Sequence, residues 1–343
     1  MDSSSLDSET KKLSEKITNA KLPPALLEKA QSLISLLFSD PSNLENVSNY
    51  INWITSLPFE KETPDNLDLK LAKETLDKNH YGLDDVKNRI LEYLASIILQ
   101  KEKDAKAPPR APILCLVGLV GTGKTTLAYS IAQALGRKFE RIPFGGMGDS
   151  KILRGQSRIL PDAEPGLIIR SLVNAQSKNP VILIDELDRI SEGSRADVMG
   201  VLVELLDPEQ NKSFLDHYID YPFDLSNVLF IATGNNTTNI STAVLDRLEI
   251  LQMPSYSDSE KLIIAKNYLF PKIIKENGLL ENQISIEEDV WPNIIRPFGY
   301  DSGTRGLERA ISGICRKVAR DVVEGKLQSA AITNENLKEF MTS

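Results

Sequence analysis

Gly118-Leu-Val-Gly-Thr-Gly-Lys-Thr125 and Val181-Ile-Leu-Ile-Asp185-Glu186 are the two stretches of this chain whose residue types and spacing suit phosphate chemistry. The first fits G-x-x-x-x-G-K-[ST], a loop whose backbone N–H groups cradle phosphates at the start of a helix. Gly118, Gly121 and Gly123 allow the tight turn, Lys124 supplies positive charge, and Thr125 offers a hydroxyl to Mg²⁺. Thr122 lies within this loop and Thr126 directly follows it, and both are candidates for holding the nucleotide. An apolar run, Ile113 to Val117, precedes it and a helical pattern, Leu127, Ile131 and Leu135, follows, which is the strand–loop–helix setting this chemistry requires. In the second stretch, two carboxylates end a short apolar strand, at the edge where parallel sheets bind ligands. Asp185 suits Mg²⁺, held through water, and Glu186 suits the base that deprotonates or orients an attacking water.

Other residues are ambiguous taken singly. Thr233, Asn235 and Asn236 end the next apolar run, Val228 to Thr233, and either position the same water or form a turn. Arg247, in Leu245-Asp-Arg-Leu-Glu, reads equally as a salt-bridged surface group. Arg305, in Gly303-Thr-Arg-Gly-Leu-Glu-Arg309, is as open by itself.

The elements that must position these residues follow from periodicity. Between Ile113 and Met253, short apolar runs alternate with helical patterns, the mark of buried parallel strands with crossover helices. Strands are expected at Ile113 to Val117, Val181 to Ile184, Val228 to Thr233 and Ile250 to Met253. Beyond Pro254 no further strand is expected; Ser257-x-x-Glu260 forms a capping box, and an α-helical domain fills the rest. Upstream, a polar disordered start over roughly residues 1–10 precedes helices carrying Leu26, Ala30, Leu33, Ile34 and Leu37, then Val47, Ile51, Ile54 and Leu57 with the packing aromatics Tyr50 and Trp53. Glu60 to Asp68, containing Pro64, reads as a linker. Leu83, Val86, Ile90, Leu94 and Ile97 mark one more helix, and Lys101 to Pro112 an exposed connector. The segments are therefore an N-terminal helical segment at 1–75, an α/β domain at 76–253 and an α-helical lid at 254–343.

With 343 residues and 41% apolar composition the chain has material for real cores. Its formal charge of −8 and dispersed basic residues disfavour nucleic-acid binding. Cys115 and Cys315 sit in apolar patterns and read as core residues, which fits a reducing, cytoplasmic setting. The N-terminus lacks the pattern of a secretory or transit peptide, and no membrane span is expected.

The phosphate loop, the Asp185-Glu186 pair and a helical lid resemble AAA+ ATPases, and longer words narrow the resemblance to the Lon family of ATP-dependent serine proteases. These are Tyr50-Ile-Asn-Trp-Ile-Thr-Ser-Leu-Pro58, His80-Tyr-Gly-Leu-Asp-Asp-Val-Lys87, Leu205-Leu-Asp-Pro-Glu-Gln-Asn211, Phe214-Leu-Asp-His-Tyr218, Phe223 through Thr233, Leu245-Asp-Arg247, Gly303 through Arg309 and Ile314-Cys-Arg-Lys317. They run in family order over roughly residues 45–325. The resemblance implies an AAA+ P-loop fold with a parallel sheet, ATP/ADP and Mg²⁺ as ligands, Lys124 and Thr125 as the Walker A pair, and Asp185 and Glu186 as the Walker B pair. It implies Asn235 as the γ-phosphate sensor, Arg247 as an arginine finger into a neighbouring subunit, Arg305 as the lid arginine, and Tyr81 and Gly82 at the adenine pocket. The last two read equally as a helix-entry turn. It further implies a homo-hexamer that unfolds protein substrates and feeds them to a peptidase domain.

Three departures qualify it. Leu119 and Val120 stand where the family usually has prolines. Leu160-Pro161 stand where the family's substrate-gripping loop has an aromatic and an aliphatic residue, so a weaker or differently tuned grip is expected. The chain ends at Ser343 before any Ser–Lys dyad, as expected of a piece of a longer protein. The rival reading is a non-proteolytic chaperone or regulatory protein that uses nucleotide to set its shape.

Overall fold

The computed structural model describes residues 3–104, 112–298 and 300–341; Pro108 and Pro109 of the expected connector lie outside the described residues. Two compact units emerge, one drawn from residues 1–67, 93–115 and 132–250, the other from 68–92, 116–131 and 251–343.

The first unit opens with helices α1 (Ser3–Asn19), α2 (Pro24–Leu36) and α3 (Leu44–Ser56). The expectation of disorder fails over residues 3–10, because Leu6, Thr10, Leu13 and Ile17 recur at helical spacing and are buried, while Met1 and Asp2 lie outside the described residues. That stripe is sparse among Ser, Asp, Glu and Lys, so average polarity hides it. The Glu60 to Asp68 stretch has no regular structure, yet it is fastened. Thr63 N donates to Asn179 Oδ1 at 2.9 Å, Asn66 N donates to Leu135 O at 2.9 Å, and Arg137 Nε donates to Asp65 Oδ1 at 2.7 Å. These bonds to the buried Asn179 and Arg137 make it part of the unit rather than a loose tether.

Its sheet contains β1 (Ile113–Val117), β2 (Phe139–Pro143), β3 (Val181–Asp185), β6 (Leu229–Gly234) and β7 (Leu248–Gln252), in the order β2-β3-β6-β1-β7. Strands β2, β3 and β6 are parallel, with Ile142 opposite Ile184 and Ile184 opposite Ala232. Every residue of β3 and β6 is buried, as continuous Val, Ile, Leu and Phe runs covered on both faces require. The expected strands are all present. Edge strand β2 was not expected, because in Phe-Glu-Arg-Ile-Pro two charged residues interrupt the apolar run. A short antiparallel pair, β4 (Phe214–Leu215) and β5 (Pro222–Phe223), completes the unit.

The second unit contains helix α4 (Leu69–Asn79), the start of α5 (Asp84–Lys103), the phosphate loop with the start of α6 (Lys124–Leu135), and the lid. Lys101 to Lys103, expected in the connector, complete α5. The capping box forms as expected, with Ser257 Oγ accepting from Glu260 N and Glu260 accepting from Ser257 N. The lid core gathers around helix Arg305–Val323, whose Leu307, Ile311, Ile314, Cys315 and Val318 form one apolar stripe. The purely helical lid is corrected, because β8 (Ile284–Ile286) and β9 (Ala330–Ile332) pair in parallel. At three residues each, these strands are too short for periodicity to reveal. Cys115 and Cys315 are free and buried, and burial pushes their thiols up to about 12 and about 11.

Candidate functional site

The residues singled out from the sequence fall into two groups, one in each unit. In the second unit, the phosphate loop turns through Gly121 (φ +84°) and Gly123 (φ +91°), positions that favour glycine, and enters α6 at Lys124. The first turn of a helix leaves backbone N–H groups without intrahelical acceptors, which suits an anion. Thr122 is fully buried, and its Oγ1 donates to Leu119 O at 2.9 Å. Thr126 Oγ1 donates to Gly123 O at 2.8 Å. Lys124 Nζ donates to the carbonyls of Gly118 at 2.5 Å and Leu119 at 2.9 Å, so its charge lies along the loop. Thr125, the Mg²⁺ candidate, is half-buried in the first turn of α6. A Cβ on Gly118 would fall 2.6 Å from Met253 O, so only glycine allows that approach.

The lid docks on this loop by backbone. Thr304 N donates to Gly121 O at 3.1 Å, and a Cβ on Gly303 would fall 2.4 Å from Gly121 C. Arg305 is exposed at the start of the lid's long helix, and its Cγ lies 3.4 Å from the Cβ position of Gly121. Tyr256 O–H donates to Thr122 O at 3.2 Å, and burial pushes this phenol up to about 12, so it stays a neutral donor. Gly303→Ala therefore has to separate two backbones, at a cost of about 1–3 kcal/mol. It is expected to weaken ATP binding by about tenfold or more. Titration with a fluorescent ATP analogue checks this, and unchanged affinity refutes the tight docking.

Tyr81 and Gly82 form the turn into α5, with Gly82 at φ +61° and Leu83 at φ +59°. The helix-entry geometry is thus present. Beside them His80 is buried, with Nε2 3.0 Å from Ser130 Oγ on α6, while Lys87 Nζ donates to His80 O at 2.6 Å. Burial pushes the imidazole down to about 4, reinforced by the Lys87 charge against a hydrogen bond to the Thr126 backbone. The folded chain keeps His80 neutral, whereas the unfolded chain protonates it near 6.5. The unfolded state therefore binds more protons between these values. Stability from this residue is full above about pH 6.5 and is lost as pH falls toward about 4, a loss of ~3 kcal/mol. His80→Gln should flatten that part of the urea-midpoint profile, and an unchanged profile refutes the assignment.

In the first unit, Asp185 is buried at the end of β3, and both its oxygens are engaged. Thr233 Oγ1, from β6, donates to Oδ1, and Arg141 Nε, from β2, donates to Oδ2 at 2.6 Å. Thr233 Oγ1 also accepts from Glu186 N at 3.0 Å, so one hydroxyl holds both members of the acid pair. Glu186 has φ +58°, a left-handed backbone uncommon for a side chain of this kind. That twist turns its side chain over Gly145, where a Cβ would fall 2.7 Å from Glu186 Oε2. Arg189 Nη1 donates to Glu186 Oε1 at 3.1 Å. Phe144 N donates to Asp185 O at 2.8 Å and Gly146 N to Arg189 O at 2.9 Å, which clasps the glycine turn to the strand end.

Asn235 lies one residue past β6 and is half-buried. Asn236 forms a turn, with its Oδ1 accepting from Thr238 N at 3.0 Å. Arg247 sits between a short helix, Thr242–Leu245, and β7, and the salt-bridged arrangement is the one found. Its Nη2 donates to Asp207 Oδ2 at 2.9 Å and its Nη1 to Ala243 O at 2.7 Å. The Arg247 guanidinium, with the backbone N–H groups of Glu209 and Gln210, holds the Asp207 carboxyl below the usual carboxylate range.

Arg141, Gly145 and Asp207 escaped the sequence reading. Arg141 and Gly145 belong to the strand, and the turn after it, that polar composition concealed. Asp207 lay inside a resembling word with no role attached.

A family model described as "ATPase family associated with various cellular activities (AAA)" matches residues 114–256, and one described as "Lon protease AAA+ ATPase lid domain" matches 275–331. Lon protease of Desulforamulus reducens is 45% identical over 328 residues, 95% of this chain and 40% of the relative. Lon protease 1 of Bacillus subtilis is 44% identical over 336 residues, 97% of this chain and 43% of the relative. The chain thus spans about two fifths of the length of these relatives. A solved structure, the S. cerevisiae Hsp104-ADP complex, has a TM-score of 0.61 at 18% identity over 80% of this chain and 43% of that one, a likeness of fold. The chain is an AAA+ ATPase module with a lid, homologous to the corresponding part of Lon proteases, and an ATP hydrolase.

Proposed function

We propose that this module hydrolyses ATP to pull unfolded protein through a homo-hexameric ring toward a peptidase domain, in the cytoplasm. The observation behind the chemical part is the acid pair held by Thr233, with Glu186 turned out of line by its left-handed backbone. Division of the chain into a helical segment (1–75), an ATPase domain (76–253) and a lid (254–343) fits this reading.

Gly118, Gly121, Thr122, Gly123 and Thr126 shape the loop for the phosphates, and Lys124 neutralises the β- and γ-phosphates. Tyr81 and Gly82 border the adenine. Glu186 takes the proton of the attacking water, Asn235 orients that water against the γ-phosphate, and Arg305 stabilises charge on the phosphates of the same subunit. Arg247 does so for the neighbour's. The hydroxyl of Thr125 and the carboxylate of Asp185 are hard oxygen donors of the kind Mg²⁺ takes. Asp185, already accepting from Thr233 and Arg141, suits a metal held through water. When bound, Mg²⁺ would supply charge neutralisation at the β- and γ-oxygens.

The exposed Ile159 and Leu160, in the loop 155–166, supply an apolar grip for an extended polypeptide. Among the described residues no helix is long and apolar enough to cross a membrane. Steady-state turnover with and without unfolded casein, and mass photometry with and without ATP, test the proposal. Casein-stimulated turnover in a six-subunit species is expected; absence of turnover in a nucleotide-bound sample overturns the motor reading.

A further inference from the structure

The loop 155–166 that presents Ile159 and Leu160 is seated at both base and shoulder. At the base, the fully buried Asp216 accepts from Gly166 N at 2.7 Å through Oδ2, and from Tyr218 N at 2.8 Å and Ile219 N at 3.0 Å through Oδ1. The approach is close enough that a Cβ on Gly155 (φ +73°) would fall 2.9 Å from the Asp216 carboxylate. At the shoulder, the residue before the apolar pair, Arg158, lays its guanidinium carbon 3.9 Å from the centroid of the Tyr50 ring. Tyr50 is on α3 and is fully buried; its O–H donates to Ile219 O at 2.9 Å, and its ring lies 6.2 Å from that of Tyr218. The same turn is held to α2, where Lys29 Nζ donates to Asp220 O at 2.8 Å.

These contacts form one connected path from the N-terminal helices to the loop. A guanidinium stacked on a ring face is attractive and has a preferred geometry, so it restricts the residue that follows it. Arg158 is half-buried by the stack, whereas Ile159 is 93% and Leu160 51% exposed. The arrangement buries the cation's plane and turns the apolar pair outward, the reverse of what hydrophobicity alone would give.

We propose that Tyr50 is a positioning residue for polypeptide engagement: the N-terminal helical segment is the seat of the gripping loop, and the Arg158–Tyr50 stack holds Ile159 and Leu160 where an apolar segment of substrate meets them. This rests on reading the loop as the polypeptide grip. The ring face of Tyr50 carries the effect, and its hydroxyl fastens the ring to the 216–219 turn.

The test uses the full chain with Tyr50→Phe, Tyr50→Leu, Arg158→Ala and, as a separate arm, Ile159→Ser with Leu160→Ser. Amide hydrogen exchange over residues 155–166 should rise about tenfold in Tyr50→Leu and Arg158→Ala and stay near wild type in Tyr50→Phe, which keeps the ring. The casein concentration for half-maximal stimulation should rise about fivefold in Arg158→Ala, with maximal stimulated turnover little changed. Arg158→Ala removes only a loop side chain, so the test survives if Tyr50→Leu fails to fold. Unchanged exchange in Arg158→Ala overturns the seat. If exchange rises but the Ile159→Ser, Leu160→Ser variant keeps wild-type casein dependence, the gripping reading is overturned and the substrate role of the seat with it.

Discussion

Glu186→Gln should bind ATP with near-wild-type affinity while steady-state turnover falls by about 10²–10⁴-fold, the span that loss of a general base produces. Glutamine has the shape of glutamate, so it can occupy the space over Gly145 and keep the backbone N–H bond to Thr233. What it loses is basicity. A competing account makes Glu186 the ion-pair partner of Arg189 and nothing more. That pair is partly exposed, with side-chain accessibilities of 48% and 37%, and such pairs contribute about 0–1 kcal/mol. On that account Glu186→Gln and Arg189→Ala would both leave turnover within about fivefold of wild type. A coupled-enzyme assay at saturating ATP, beside an equilibrium titration of ATP, separates the two. Normal turnover in Glu186→Gln refutes the base.

The contrast between β3 and β2 shows what the sequence could reveal of this site. Strand β3 is buried on both faces, so Val-Ile-Leu-Ile is a visible run and the acid pair at its end could be placed by residue number. Strand β2 lies at the sheet edge, with Glu140 half-buried and Arg141 exposed, and these two charged residues break the apolar run. Arg141 contacts Asp185 only because the parallel register sets Pro143 against Asp185. Register is a property of the folded sheet, and no spacing within one strand encodes it. The glycines divide the same way. Gly118, Gly121 and Gly123 belong to a local pattern, whereas Gly145 and Gly303 meet atoms brought from elsewhere, the movable Glu186 Oε2 and the fixed Gly121 backbone. Helix α1 was hidden for the opposite reason: its buried face is local, but too few residues carry it. Arg247 was found by resemblance, and its contact with Asp207, 40 positions away, was not.

That contact sharpens the last expectation: Arg247→Ala should lower turnover by about 10²–10³-fold with little change in ATP affinity, whereas Asp207→Ala should stay within about fivefold of wild type. If Arg247 served only to pair with Asp207, the two variants would behave alike, since each breaks the same hydrogen bond. The surroundings of the guanidinium argue that its charge is kept for more than that bond. Its Nε is buried with no hydrogen-bond partner among the described residues, while Nη1 and Nη2 are fixed by Ala243 O and Asp207. Holding a partly desolvated cation in one orientation costs stability that a neutral side chain would not forfeit. Such an orientation is useful to a group that must meet a transferring phosphoryl without reorganising. Mixing supplies the decisive measurement. In a ring where each site joins its own Glu186 to a neighbour's Arg247, an equal mixture of Glu186→Gln and Arg247→Ala subunits contains sites with both groups intact. Turnover should then recover to about a quarter of wild type, although each variant alone is nearly inactive. No recovery at any ratio, in subunits shown by mass photometry to assemble together, confines Arg247 to its own subunit and reduces it to the anchor of Asp207.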